Sequence, residues 1–272
     1  MKLLFITDLH GCKWKYERVF EVAKEVRAAI VINGGDLLPK NGNLFTQDEF
    51  IINYLDNHFA RFNSAGIYYL CYLGNDDLRI FDELFEKICN KYPFVVCLAQ
   101  RKFEVKGFEF IGMNWVVDYP FRLKDRCRMD TDDYIFQEQF GTGLLSTKNG
   151  FQELNDWFAY AKTLPTIESE LNQLPCSKNT AQSVYVIHMP PFRLGLDKCK
   201  DGREAGSKAV YNFLQKYQPS FSLHGHIHES PEVGGRWYKK LGNTICIQPG
   251  QFNGFTYVTI DLSSMKFDRM VE

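Results

Sequence analysis

The sequence lacks the features that define several large classes of protein. No stretch approaches the roughly 18 apolar residues of a membrane span, and the apolar run at residues 3–6 ends before Asp8 and His10, too soon for an export signal. The net charge is −1, and no block of about five like charges attracts the chain to nucleic acid or anionic membranes. We therefore expect a cytoplasmic protein that does not bind membranes and forms no stable complex with nucleic acid.

The eight cysteines include no C-x-x-C pair, and several lie in apolar runs such as residues 69–72. They are expected to be reduced and buried as small apolar side chains, which argues against a disulfide framework. Apolar residues make up 45% of the 272 positions and charged residues 24%, as is usual for a folded globular protein. We expect a single domain over residues 1–272, with an insertion at about 113–182.

Apolar runs alternate with helical patterns in the first part of the chain. Four runs are typical of buried strands, at residues 3–7, 30–32, 66–73 and 94–97. Apolar residues at helical spacing lie between them, at residues 16–27, 47–62 and 78–89. Later elements are expected as a hairpin at 102–105 and 108–111, helices at about 150–162 and 208–217, and strands at 184–187, 221–223, 237–240, 244–247 and 255–260. The alternation predicts an α/β fold with parallel strands joined by helical crossovers.

Carboxylates follow the first three predicted strands at the point where each strand ends. These residues are Asp8, Asp36 and the pair Asp76 and Asp77. Each alone is weak evidence, because Gly-Asp and Asn-Asp are common in turns. Ligands bind beyond the carboxyl ends of parallel strands, so three such positions in succession predict a cluster of carboxylates at one edge of the sheet.

Histidines occupy the corresponding positions in the second half of the chain. The strand at 184–187 ends at His188, and the strand at 221–223 leads into His224-Gly225-His226-Ile227-His228. Imidazoles two residues apart point to the same side only on an extended or tightly turning backbone, which Gly225 allows. This spacing is typical of a metal site, and the alternative is a chance cluster of surface or core histidines.

The strand-end loops together supply seven candidate metal ligands. They are Asp8, His10, Asp36, Asn75, His188, His226 and His228. Oxygen and imidazole donors without cysteine suit divalent manganese, iron or zinc, and the set is too large for one ion. Two ions that share a carboxylate would lower the pKa of a bound water and stabilise the attacking and leaving oxygens of a displacement at phosphorus.

The order of these motifs resembles the calcineurin-like metallophosphoesterase superfamily. The motifs are D-x-H at Asp8, G-D at Asp36, G-N-x-D at Asn75, the strand-end His188 and G-H-x-H at His226. The sequence G-H-I-H-E-S-P at residues 225–231 is similar to a small prokaryotic branch of that superfamily. The resemblance spans residues 8–228.

The resemblance implies a four-layer αββα sandwich, in which two mixed sheets flanked by helices hold the metal site at the C-terminal edge of their strands. It implies two divalent ions, with manganese favoured over iron or zinc. One ion would be held by Asp8, His10, Asp36 and His228, and the other by Asp36, Asn75, His188 and His226. A metal-bridging hydroxide would then attack phosphorus in line.

One position departs from the superfamily's pattern. The third motif commonly reads G-N-H-D/E, whose histidine protonates the leaving oxygen or stabilises the phosphate, but here Asp76 stands in that position and Asp77 follows. A carboxylate beside two cations has a lowered pKa and is a poor proton donor. Members without this histidine resemble phosphodiesterases more than monoesterases. We therefore expect a phosphodiesterase for a small phosphoester or nucleotide, with Asp76 as the candidate catalytic residue.

Other functions of the same fold stay open as alternatives: a phosphomonoesterase, a nuclease, or a catalytically weak scaffold. A scaffold would be expected to have lost metal ligands, and no ligand position is lost here. A nuclease would need a basic track to neutralise phosphates, which the sequence does not show. No oligomeric state is predicted.

The insertion at about 113–182 is expected to form a cap on the substrate side, because long segments without clear periodicity are usually functional or mobile. Its alternating basic residues either clamp a substrate phosphate or form a solvated edge paired with residues 130–133. These basic residues are Arg122, Lys124, Arg126 and Arg128. Its aromatic residues either stack on a base or build a local core; they are Trp115, Tyr119, Phe121 and Tyr134. His58 is expected to lie on a helix surface or to pack, and the alternative is a substitute proton donor. His224 is expected to pack or to support a metal ligand, and the alternative is contact with the substrate.

Overall fold

Two six-stranded mixed sheets lie at the centre of the computed structural model, which describes residues 1–252 and 254–272. In chain order the strands are β1 (Lys2–Ile6), β2 (Ile30–Asn33), β3 (Tyr68–Cys71), β4 (Val95–Cys97), β5 (Lys102–Val105), β6 (Phe108–Met113), β7 (Val116–Val117), β8 (Cys127–Arg128), β9 (Gly143–Thr147), β10 (Gly150–Leu154), β11 (Ser183–Ile187), β12 (Phe221–Leu223), β13 (Tyr238–Leu241), β14 (Thr244–Ile247), β15 (Thr256–Asp261) and β16 (Lys266–Val271). The first sheet has the order β16-β15-β1-β2-β3-β4, and the second has the order β13-β14-β12-β11-β6-β5. Strands β1 to β4 run parallel, as do β6, β11, β12 and β14, so each sheet presents several carboxyl ends at one edge.

The side chains of the central strands are buried on both faces. Leu3 and Phe5 of β1 belong to the apolar cluster between the sheets, together with Val186 of β11. Leu4 and Ile6 belong to the cluster under the helices on the other face. Successive residues of a strand point to opposite faces, so burial on both faces explains why β1 is a continuous apolar run.

Helices cover the outer faces of both sheets. In chain order they are α1 (Lys13–Glu25), α2 (Gln47–Phe50), α3 (Asp56–Ala65), α4 (Asp82–Cys89), α5 (Trp157–Ala161), α6 (Ile167–Gln173), α7 (Lys208–Tyr217) and α8 (Ser230–Gly234). Residues of α1 to α4 pack on the first sheet, and residues of α5 to α7 pack on the second. The αββα sandwich expected from the resemblance is therefore confirmed.

Two helical predictions need correction in detail. The helix predicted at 47–62 is interrupted by a π-helical turn at Ile51–Leu55, which joins α2 to α3. The helix predicted at about 150–162 is wrong, because β9 and β10 pair as a hairpin and α5 begins only after Asp156, its N-cap. The dipeptide Asn149-Gly150, with Gly150 at φ 113°, marks the hairpin turn, and the aromatic spacing after it obscured that signal. No local pattern indicates the β7–β8 pair, α6, α8 and β16.

None of the helices in the described parts of the chain combines the length and the apolar character needed to cross a membrane.

Candidate metal centre

Seven ligand-type side chains converge where strands of the two sheets end. Asp8 and His10 follow β1, Asp36 follows β2, Asn75 follows β3, His188 follows β11, and His226 and His228 follow β12. The structure thus brings together all seven residues that the sequence proposes as metal ligands. Both sheets contribute candidate ligands, because each contains parallel strands and ligand-binding residues lie beyond the carboxyl ends of such strands.

Asp8, His10, Asp36 and His228 form one half of the cluster. One donor atom of each lies within 4.8 Å of the donor atoms of the others. His228 Nε2 is 3.0 Å from His10 Nε2 and 3.5 Å from Asp8 Oδ1, and His10 Nε2 is 3.9 Å from Asp36 Oδ2. Two carboxylates and two imidazoles at this spacing match the ligand set of a divalent ion.

Asn75, His188 and His226 form the other half, next to Asp36. Asn75 Oδ1 lies 2.9 Å from His188 Nε2 and 2.7 Å from His226 Nδ1. His188 Nε2 is also 3.6 Å from Asp36 Oδ2, while its Nδ1 donates a hydrogen bond of 2.7 Å to the carbonyl oxygen of Gly34. Because that bond assigns a proton to Nδ1, Nε2 is the nitrogen oriented to bind a metal.

The backbone of these loops is strained at the positions of the ligands. Four of the seven residues adopt the left-handed conformation that is uncommon outside glycine: Asp8 (φ 55°), His10 (φ 45°), Asp36 (φ 53°) and His226 (φ 72°). A Cβ atom at Gly74 would lie 2.2 Å from Asp36 Oδ1, so only glycine allows this approach. Strained backbone of this kind persists where the surrounding structure imposes it, and it concentrates at functional sites.

The buried carboxylates make the cluster attractive to cations. Burial raises the pKa of Asp8 and Asp36, but the neighbouring histidines outweigh it and hold the pKa of Asp8 at about 2 and that of Asp36 well below its usual range. Burial lowers the pKa of His188, yet the carboxylates of Asp36 and Asp8 raise it to about 9. Asp8 Oδ2 and His10 Nδ1 are buried and have no hydrogen-bond partner among the described residues, which is costly unless an ion binds there. The donor set therefore fits divalent cations.

Asp76 lies beside the cluster, with 35% of its side chain exposed. Its carboxylate accepts a hydrogen bond of 3.0 Å from Asn75 Nδ2 and approaches His10 Nδ1 to 3.9 Å. Burial and the negative charge of Asp36 raise the pKa of Asp76 to about 7. The protein groups alone therefore raise the pKa of Asp76. The lowered pKa expected from the sequence depends on the charge of neighbouring cations.

Asp77 is buried and binds backbone rather than a catalytic side chain. Its carboxylate accepts hydrogen bonds of 2.8 to 2.9 Å from the backbone N–H groups of Leu37, Leu38 and Gly74. It therefore ties the loop that carries Asp36 to the loop that carries Asn75.

His224 and His58 lie outside both halves of the cluster. His224 Nδ1 is 2.9 Å from the carbonyl oxygen of Ile187, so it supports the strand end that carries His188. His58 is buried among aromatic rings, with its ring centroid 5.0 Å from that of Tyr16. These positions agree with a packing role for His58 and a supporting role for His224.

The alternating basic residues of the insertion bind protein groups instead of facing the metal centre. Lys124 pairs with Asp118, Arg126 contacts the carbonyl oxygen of Gly74 and the carboxylate of Asp82, Arg128 lies over the ring of Trp115, and Arg122 pairs with Glu153. The stretch therefore neither clamps a substrate phosphate nor forms a solvated edge paired with residues 130–133, because three of the four side chains are buried by these contacts. Arg126 contributes indirectly, since its bond to Gly74 supports the loop that carries Asn75.

A cavity of about 1170 Å³ opens beside the cluster. Its inner end includes Asp36, Asp76 and His226, and one wall is formed by aromatic residues of the insertion: Tyr119, Phe121, Tyr134 and Phe140. Trp115 lies elsewhere, under the guanidinium group of Arg128 at 3.8 Å. Lys40, residues 199–201 and residues 203–205 also line it. Sequence reasoning missed them because they belong to no motif, although Lys40 follows Asp36 by only four residues.

Comparisons with known proteins agree with this architecture. A family model described as calcineurin-like phosphoesterase matches residues 1–230. No curated protein sequence matches the chain. One similar crystal structure has a TM-score of 0.63 and 20% sequence identity, and the match covers 99% of this chain and 98% of that one. For TT1561 of Thermus thermophilus the TM-score is 0.59 and the identity 16%, with 99% and 98% of the two chains covered. For a dimetal phosphatase from Danio rerio the TM-score is 0.50 and the identity 11%, with 95% and 91% covered. At these identities the similarity shows the fold alone.

Proposed function

Since the chain belongs to the calcineurin-like phosphoesterase family, we propose that it is a phosphohydrolase that uses two divalent metal ions and favours phosphodiesters over monoesters. The observation that carries this proposal is the convergence of seven oxygen and imidazole donors, four of them within 4.8 Å of one another, beyond the strand ends. Buried carboxylates and strained backbone both reduce the stability of the fold, so their concentration in one place supports a functional role for the cluster.

We assign one ion to Asp8, His10, Asp36 and His228, and the other to Asp36, Asn75, His188 and His226. Asp36 is the shared ligand in this assignment, because its Oδ2 lies 3.9 Å from His10 Nε2 and 3.6 Å from His188 Nε2. When bound, two such ions lower the pKa of a coordinated water and stabilise charge on the attacking and leaving oxygens. We propose manganese as the metal, since it suits oxygen and imidazole donors without thiolate.

Asp76 supports the preference for diesters through its charge and hydrogen-bonding capacity. Two bound cations would lower the pKa of Asp76 and keep it ionised. A carboxylate accepts hydrogen bonds and repels further negative charge, whereas an imidazole in this position would donate one. A phosphomonoester carries nearly two negative charges at neutral pH and a diester carries one. A carboxylate on the wall of the cavity therefore disfavours the monoester.

We further propose that residues 113–182 cap the site and restrict it to small phosphoesters. Tyr119, Phe121 and Tyr134 of this segment form a wall of the cavity that contains Asp36 and Asp76. The net charge of −1 gives no support for a nuclease, whose affinity depends on neutralising many phosphates. The cytoplasmic location stays a prediction, and its support is that all eight cysteines are free thiols.

Replacing Asp76 by histidine is expected to raise monoesterase activity. The imidazole would supply the hydrogen-bond donor that the third motif of the family commonly has, and positioned proton donors contribute on the order of a hundredfold to rates. With Mn²⁺ present, wild type should hydrolyse bis(p-nitrophenyl) phosphate faster than p-nitrophenyl phosphate. Asp76→His should raise kcat/KM for the monoester and reduce this difference.

The matched control is Asp132→His, because Asp132 is exposed in the insertion and does not line the cavity. It should leave the ratio of the two activities unchanged. An unchanged ratio in Asp76→His would show that Asp76 does not determine the preference. Two bound ions without turnover of either ester would favour a scaffold instead of an enzyme.

A further inference from the structure

We propose that the cavity beside the metal centre binds a nucleoside, so that the substrate is a nucleoside phosphodiester. This inference rests on the proposed phosphodiesterase function and adds the identity of the group attached to the phosphate. It is carried by a row of aromatic rings that leads from the cluster to the protein surface, and by polar residues that line the same cavity.

The row of rings consists of Tyr119, Phe121 and Phe140. The ring of Tyr119 lies 5.7 Å from the imidazole of His226, measured between centroids. The ring of Phe121 lies 5.8 Å from that of Tyr119, and the ring of Phe140 lies 5.4 Å from that of Phe121. All three residues line the same cavity as Asp36 and His226. An ester group on a phosphate held at the cluster would therefore extend along the row.

The two outer rings, Phe121 and Phe140, pack against each other, yet most of each side chain is exposed to solvent. Phe121 is 62% exposed and Phe140 is 66% exposed. Apolar surface left in water beside a cavity of about 1170 Å³ is typical of a ligand-binding surface. A planar base that stacks on these rings would cover them, and every base offers a face suited to such stacking.

The row is held rigid by a buried polar network beneath it. The carboxylate of Asp118 accepts hydrogen bonds from Lys124 Nζ at 2.7 Å, Trp157 Nε1 at 2.9 Å and Gln139 Nε2 at 3.0 Å. The backbone N–H of Phe140 donates a bond of 2.8 Å to the carbonyl oxygen of Pro120, which joins the two segments that carry the rings. A surface fixed before binding loses little conformational entropy when a ligand stacks on it.

Other residues that line the cavity are polar, and they favour a nucleoside over a purely apolar group as the ligand. Gln137, Lys200, Arg203 and Glu204 line the same cavity. Arg203 Nη1 donates a hydrogen bond of 3.3 Å to Gln137 Oε1, so these side chains already form polar contacts with one another. A nucleoside has apolar faces and polar edges, so it suits a site that combines aromatic rings with hydrogen-bonding groups. An alkyl chain would make no hydrogen bond with these groups, whereas a base or a sugar could.

The test compares three diesters that share the p-nitrophenyl leaving group and differ in the second group: thymidine, methyl or hexyl. Wild-type protein with Mn²⁺ should hydrolyse the thymidine ester with a kcat/KM about 10- to 100-fold above that of the other two, mainly through a lower KM, as expected for a stacked base. Equal values for the thymidine and methyl esters would overturn the nucleoside assignment while leaving the phosphodiesterase function intact. Equal values for thymidine and hexyl would overturn it as well, because the cavity would then select for apolar groups in general.

Variants of the exposed rings test the residues themselves. Phe121→Ala and Phe140→Ala should each reduce the thymidine-to-methyl ratio about tenfold, and Phe140→Tyr, which keeps a ring, should restore it. The control Phe151→Ala removes a ring that is 41% exposed and packs against Phe45, outside the cavity, and should leave the ratio unchanged. A ratio unaffected by both Phe121→Ala and Phe140→Ala would contradict the proposal. Failure to hydrolyse any of the three esters would refute the proposed function itself, and this inference with it.

Discussion

Replacing Asp36 by asparagine should lower the hydrolysis of bis(p-nitrophenyl) phosphate on the order of a thousandfold or more. The substitution keeps the size of the side chain but removes the negative charge that we assign to both metal ions. Metal ions contribute several kcal/mol of transition-state stabilisation, and each 1.36 kcal/mol corresponds to about tenfold in rate. The measurement is kcat together with metal content per chain, and both should fall.

The control for this substitution is Asp268→Asn, the same chemical change at an exposed position of β16. It should keep full activity and metal content. The thermal unfolding midpoint of Asp36→Asn should be measured in parallel, since loss of activity through unfolding would be uninformative. A folded Asp36→Asn variant that retains both two metal ions and normal kcat would contradict the assignment of Asp36 as the shared ligand.

Replacing Lys124 by methionine should lower the free energy of unfolding by about 3–5 kcal/mol, because it leaves the carboxylate of Asp118 buried without its positively charged partner. Both side chains are fully shielded from solvent, and their charged atoms are 2.7 Å apart. A loss of this size is a large fraction of the roughly 5–15 kcal/mol that stabilises a typical domain. Denaturation in urea, followed by fluorescence, would measure it.

Arg122 provides a matched control two residues away in the same stretch. Its ion pair with Glu153 is exposed, with 47% and 64% of the two side chains accessible, so Arg122→Met should cost less than about 1 kcal/mol. The double variant Asp118→Asn with Lys124→Met should be more stable than Lys124→Met alone, because the unpaired charge is removed. If Lys124→Met and Arg122→Met destabilise the protein equally, the buried pair does not hold the insertion together.

The strands that carry the candidate metal ligands, and the residues at their ends, were predictable from local sequence. The continuous apolar run of β1 and the turn residues that follow it reflect burial on both faces and an abrupt end at the edge of the sheet. The same reasoning places Asp36 after β2 and His188 after β11. Because parallel strands end together, order along the chain was enough to predict that these residues meet.

The insertion was not predictable in the same way, because its contacts are made across long sequence distances. Arg126 is buried by its bonds to Gly74 and Asp82, and no local pattern distinguishes it from an exposed arginine that could bind phosphate. Phe140 joins the row of rings through a backbone bond to Pro120, twenty residues earlier in the chain. The role of Asp77 in joining two loops likewise depends on Leu37 and Leu38, which are distant in sequence.

We propose that the seven converging side chains bind two metal ions that the reaction requires. The most direct test is to remove metals from the purified protein with a chelator, titrate Mn²⁺ back, and record bound metal and hydrolysis of bis(p-nitrophenyl) phosphate on the same samples. Two ions bound per chain are expected, with activity absent after chelation and restored as both sites fill. Binding of fewer than two ions, or hydrolysis that continues after the metal has been removed, would contradict the claim.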